Sequence, residues 1–164
     1  MTTALIISAT AVTTEQLCGV GTAVERVLLA SPHRLESSDR RIEHHALTLS
    51  RVIDQGRVCD LIRQRGPLEE SHVFLKSALE GSDANAAEAE AERVQLAIAG
   101  PALALRACLA GMTVQGRGRV CLHAPEGAAD LDAAIAAFWQ AWVVQQKCRL
   151  AEDGFDGIAV TYFD

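Results

Sequence analysis

Apolar positions along this chain change period several times, and each change predicts an element. Ala4 to Val12 (ALIISATAV) is a short β-branched run that reads as a strand covered on both faces. Thr13-Thr14-Glu15 then offers a helix start, and Leu17, Val20, Val24, Val27 and Leu28 continue at helical spacing until Ser31-Pro32. Ser38-Asp39 opens a second helix, with Ile42, Ala46, Leu49, Ile53, Cys59 and Ile62 as its inner stripe to about Arg65. Gly66-Pro67 reads as a stop followed by a start. Leu68, His72, Leu75 and Leu79 predict a short helix ending at Gly81, with Glu69 and Glu70 in its first turn.

The second half is more regular. Residues 82–92 (SDANAAEAEAE) read as an exposed helix or a mobile connection. Val94 to Ala99 alternates like a strand, yet follows an alanine-rich run; the balance favours helix, broken at Gly100-Pro101 and restarted to about Ala110. Gly116 and Gly118 mark a turn into a strand over Arg117 to His123. Asp130 and Asp132 open the clearest helix, which runs to near Gly154 with Lys147 and Arg149 towards its end. Gly157 to Phe163 closes as a strand. The expected fold is one α+β domain over residues 1–164, predominantly helical, with four to six helices and a sheet of three or four strands. The first and last strands are expected to pair.

Six of the seven aromatic residues lie between Phe138 and Phe163; only Phe74 lies elsewhere. On the helical wheel Phe138 and Trp142 join Leu131 and Ile135 in one arc, which places them in the core. Trp139 falls at the edge of that arc, near Val143, and these two are the candidate interface residues.

Composition narrows the class. The chain has 164 residues, 49% apolar and 22% charged, enough for a sizeable core. A net charge of -6 disfavours sequence-independent nucleic-acid binding. Val94 to Met112 is interrupted by Gln95, Gly100-Pro101 and Arg106, so a membrane span is not expected, and no basic residue precedes the N-terminal apolar run. Five cysteines without a CxxC pair fit reduced thiols in the cytoplasm.

Candidate chemistry is sparse. Cys121 and His123 lie two apart on a strand and so face one way, which suits a ligand, a zinc or copper ion, or an activated thiolate. Arg117 and Arg119 flank Gly118 in a turn that suits an anion. His44-His45, in a helix, would point about 100° apart and could not share a metal. Gly19-Val20-Gly21-Thr22 matches part of a dinucleotide-binding turn, but Val24 stands where the third glycine belongs. No GxSxG elbow, Walker loop or HExxH helix is present. The sequence leaves the cofactor unknown. These features favour a cytoplasmic, non-catalytic interaction or accessory protein acting through protein contacts, as a homo-oligomer or with a partner. The alternative is a small enzyme or ligand- or metal-binding protein with a pocket near Cys121/His123 and Arg117/Arg119.

Overall fold

The computed structural model describes residues 2–8, 12–13, 17, 20, 24–35, 37, 39–47, 49, 51–75, 95–125 and 130–163. Its centre is a six-stranded sheet, β1 (Thr3–Ser8), β2 (Arg26–Ser31), β3 (Ile42–Ala46), β4 (Leu68–Phe74), β5 (Gly118–His123) and β6 (Ile158–Phe163). Every strand pair is parallel, in the order β3-β2-β1-β4-β5-β6. The helices are α1 (Val52–Arg65), α2 (Gly100–Gln115), entered through a π-helical turn at Gln95–Ala99, and α3 (Asp130–Glu152).

This overturns the α+β expectation. The fold is α/β, with six parallel strands and three α-helices among the described residues. The errors fall on β2, β3 and β4, of which β3 is a half-buried edge strand. Val27 and Leu28 continue a helical spacing from Leu17 but belong to β2. Ile42 and Ala46 belong to β3, so the second predicted helix keeps only its latter part, as α1. The short predicted helix after Pro67 is β4, where Leu68 and Val73 are buried. Strands buried on both faces lose the alternation that identifies them, and chance apolar spacings then look helical. The first and last strands do not pair: β1 lies between β2 and β4, and β6 is an edge. The second half follows its sequence pattern more closely: Gln95–Ala99 is a π-helical turn, β5 and β6 are strands, and α3 runs close to its expected bounds. Residues 82–92 lie outside the described residues.

Side chains divide between the two sheet faces by strand parity. One face carries Leu5, Ile7, Leu28, Ala30, Val73, Val120, Leu122, Ile158 and Val160, packed with all three helices in the main core. Ser71 is on this face and bonds the Cys108 thiol of α2 at 3.3 Å. The segment Leu96–Gln115 is long and apolar enough to cross a membrane by composition. Here Leu105, Cys108 and Met112 are buried in the core instead. On α3 the inward stripe is Ile135, Trp139, Val143 and Leu150. Trp139 is fully buried and its indole N–H donates to the Ala97 carbonyl at 2.9 Å. Phe138 is 42% exposed. The candidate interface residues Trp139 and Val143 are therefore core, and Phe138 faces outward. Of the predicted arc, Ile135 is buried and Trp142 packs against the core, while Phe138 is turned out because the buried face is centred on Trp139, four residues after Ile135 and four before Val143.

At the end of α2 the chain turns through Gly116 at φ 72, a left-handed cap that favours glycine. Gly157 runs alongside: a Cβ there would collide with the Gly116 carbonyl. These glycines seat β6 beside β5, where the Gly118 amide donates to the Gly157 carbonyl at 3.1 Å.

Candidate functional site

Strand order reverses between β1 and β4, because β1 continues to β2 on one side and meets β4 on the other. In open parallel sheets, ligands bind outside the carboxyl ends of the strands at such a point. The relevant ends here are Ser8, Phe74 and His123.

The sheet face away from α1, α2 and α3 is divided. Over β1 and β2 it is apolar, with Ala4, Ile6, Val27 and Leu29 packed under Val12, Val20 and Val24. Over β4, β5 and β6 it carries Glu70, His72 and Phe74, then Arg119, Cys121 and His123, then Ala159, Thr161 and Phe163, aligned by register. Arg119 donates to the Glu70 carboxylate. The other Glu70 oxygen meets His72 Nε2 at 3.3 Å, and His72 Nδ1 meets His123 Nε2 at 3.1 Å. The His123 ring stacks on Phe74 at 4.2 Å between centroids and on Phe163 at 5.2 Å.

Burial sets the protonation of this group. It pushes His123 down to about 4, aided by the neighbouring His72 charge. Burial also lowers His72, although Glu70 works the other way. Both rings are therefore neutral at pH 7. Burial pushes the Cys121 thiol up to about 11, which removes the activated-thiolate chemistry that a Cys–His pair suggests. Among the described residues no three His, Cys, Asp or Glu side chains gather as metal ligands.

Other sequence candidates fall in different places. Cys121 and His123 share a face of β5 and meet His72, a partner read as part of a helix from sequence. Arg117 and Arg119 face Glu69 and Glu70, with Arg117 at 2.8 Å from its carboxylate. His44 and His45 are on β3, not a helix, and so point to opposite faces. His44 Nε2 donates to the carbonyls of Ser31 and His33. The signal for His72 lay in cross-strand register with Cys121, which no spacing within one segment reveals.

A dinucleotide would need a glycine-rich turn after β1 and an acid or arginine near the end of β2. No glycine occurs between Ser8 and Gly19. Gly19 and Gly21 lie outside the described residues; at the amino end of β2 the Glu25 and Arg26 amides donate to the Thr2 carbonyl. The residue ending β2 is Ser31, whose hydroxyl accepts from the His33 amide at 3.2 Å. Arg34 follows and is exposed, where a 2′-phosphate would meet it. The residues present do not fit a dinucleotide held on a glycine-rich turn.

No protein-family profile and no curated protein matches the chain. Solved structures do. The chain is similar to a bulky-bulky ketone specific alcohol dehydrogenase from Comamonas testosteroni, with a TM-score of 0.72 and 17% identity over 98% of this chain and 72% of that one. It is similar to a short-chain dehydrogenase from Streptomyces avermitilis, with a TM-score of 0.68 and 18% identity over 97% of this chain and 64% of that one. A third is a short chain dehydrogenase from Leptospira borgpetersenii with bound NAD+, with a TM-score of 0.70 and 14% identity over 98% and 69%. The chain thus spans about two thirds of the length of these neighbours. Its architecture is the Rossmann-like fold of short-chain dehydrogenases, and these enzyme neighbours overturn the expectation of a non-catalytic interaction or accessory protein.

Proposed function

We propose that the protein is a small enzyme acting on a small molecule, with its site at the carboxyl ends of β4 and β5 and His123 as the group the ligand meets. The observation that carries this reading is the chain of hydrogen bonds from Glu70 through His72 to His123, which ends where parallel sheets bind ligands. A neutral, stacked imidazole suits hydrogen bonding or proton acceptance at a hydroxyl or amine. Cys121, 2% exposed beneath it, lines the site as an apolar side chain rather than as a nucleophile. An anion at Arg117 and Arg119 would have to displace Glu69 and Glu70.

Oxidation or reduction at a carbonyl or hydroxyl is the second reading, favoured by the dehydrogenase architecture. It requires a nicotinamide cofactor held without a glycine-rich turn, so no step is derived through it. Titration with NADH and with NADPH by calorimetry tests it; saturable binding supports it, and none with either removes it. The main reading is tested by amide NMR with a set of small alcohols and ketones. Shifts at Phe74, His123 and Ala124 are expected. Ligands that cluster at the amino edge of the sheet contradict it.

A cytoplasmic location and self-association belong to the same proposal. The described cysteines are all free thiols. Phe138 and Val144 on the outer side of α3 are exposed apolar residues that a second copy would cover. Light scattering across a dilution series tests this; a strict monomer at high concentration contradicts it.

A further inference from the structure

The polar patch is directional. Glu70 commits one carboxylate oxygen to Arg119 and the other to His72 Nε2. A carboxylate paired with arginine only accepts, so the proton of neutral His72 sits on Nε2 and its Nδ1 carries a lone pair. That lone pair faces His123 Nε2 at 3.1 Å, so His123 must donate from Nε2. Its Nδ1 is then a bare acceptor. No described residue donates to it. Phe74 and Phe163 lie against the two sides of the ring, at interplanar angles of 12° and 15°, and fix its plane.

We propose that Arg119, Glu70 and His72 are positioning residues that lock His123 in one tautomer. Its Nδ1 then accepts a hydrogen bond from a hydroxyl- or N–H-bearing neutral ligand at the carboxyl edge. The inference rests on the proposed placement of the ligand at that edge, and it narrows the ligand class. An anionic group without a donor is rejected at Nδ1, because two lone pairs would meet. The bond needs no proton to leave the ligand, so charge is unchanged on binding. Glu70 and His72 touch no ligand; they act only through His123.

The test uses the full chain labelled with 15N at histidine. In the wild type, His123 Nδ1 is expected at an unprotonated imidazole position and His123 Nε2 at a protonated one. The double variant E70K/R119E keeps an ion pair but replaces the acceptor with an ammonium that only donates. His72 then accepts at Nε2 and donates from Nδ1, and the His123 proton moves to Nδ1. The same His123 tautomer in both proteins overturns the relay. Should circular dichroism show that the double variant is unfolded, H72F serves. It removes the acceptor, and two populated His123 tautomers are expected where an unchanged single one overturns the proposal. Phenol and anisole then probe the ligand arm, since they differ in the donor alone. Phenol is expected to shift wild-type His123 Nδ1 saturably and to lose at least tenfold in affinity in E70K/R119E. Equal shifts with anisole or with sulfate, an anion without a donor, overturn the stated ligand class. The tautomer arm needs no ligand, so its failure sinks the relay alone. Expected tautomers with no small molecule binding at the edge sink the site placement instead.

Discussion

The two halves of one sheet face differ in kind. Over β1 and β2 the face away from α1, α2 and α3 is aliphatic and capped by Val12, Val20 and Val24. Over β4 to β6 the same face holds Glu70, His72, Arg119, Cys121 and His123. Both halves use identical backbone pairing, so the ladder does not separate them. Side-chain chemistry does. An aliphatic row is stabilised by leaving water, and it can only be packed. A row of carboxylate, imidazole and guanidinium must instead be satisfied laterally, strand to strand, and its satisfaction fixes protons and orientations. Apolar burial is concentrated on the face packed by α1, α2 and α3 and on the aliphatic half; titratable groups are concentrated on the polar half.

Substitutions should reveal that division. Trp139→Ala is expected to have the largest effect, about 3–5 kcal/mol lost in urea denaturation, because it empties a fully buried site and removes the indole donor to the Ala97 carbonyl. Phe138→Ala, one residue away and facing outward, should cost under about 1 kcal/mol. Equal losses would return both to the same environment. Gly157→Ala comes next, at about 1–3 kcal/mol, since the new Cβ presses on the Gly116 backbone.

How much of this was legible follows the same line. The α2, β5, α3 and β6 segments announced themselves through glycine turns, an N-terminal pair of aspartates and a long amphipathic run. β2 and β4 did not, because a buried parallel strand carries little alternation to set against a helical spacing, and β3, a half-buried edge strand reading IEHHA, carries too few apolar residues to show any. Cys121 and His123 were found from their shared parity on β5. His72 and Glu70 were missed because their partners lie across the ladder: Glu70 opposite Arg119, His72 opposite Cys121. Register is a property of the folded sheet, and a single sequence does not encode it locally. The inversion of Phe138 and Trp139 has a related origin, since the direction in which α3 faces is set by the sheet below it.

Acid should weaken the polar half selectively. His123 is held at about 4 in the fold against an ordinary 6.5, so the unfolded chain binds the proton more readily. Stability is therefore complete above about pH 6.5 and falls as pH drops towards 4. The expected loss is roughly 2 kcal/mol after allowance for the partly exposed ring. Thermal melts of His123→Phe should show a flatter profile over that window; an unchanged slope would assign the acid sensitivity elsewhere. The smallest effect concerns the thiols. With iodoacetamide at pH 8, exposed Cys148 should react first. Burial holds Cys121 at about 11 and Cys108 at about 12, so both should lag by about 100-fold or more. Comparable labelling of Cys121 would mean that the polar half opens in solution.

The most direct measurement is the pH titration of the His123 ring by NMR in the intact protein. A midpoint near 4 is expected, with a single neutral tautomer above it. A midpoint near 6.5, that of an ordinary exposed histidine, would contradict the buried, hydrogen-bonded relay on which the functional reading depends.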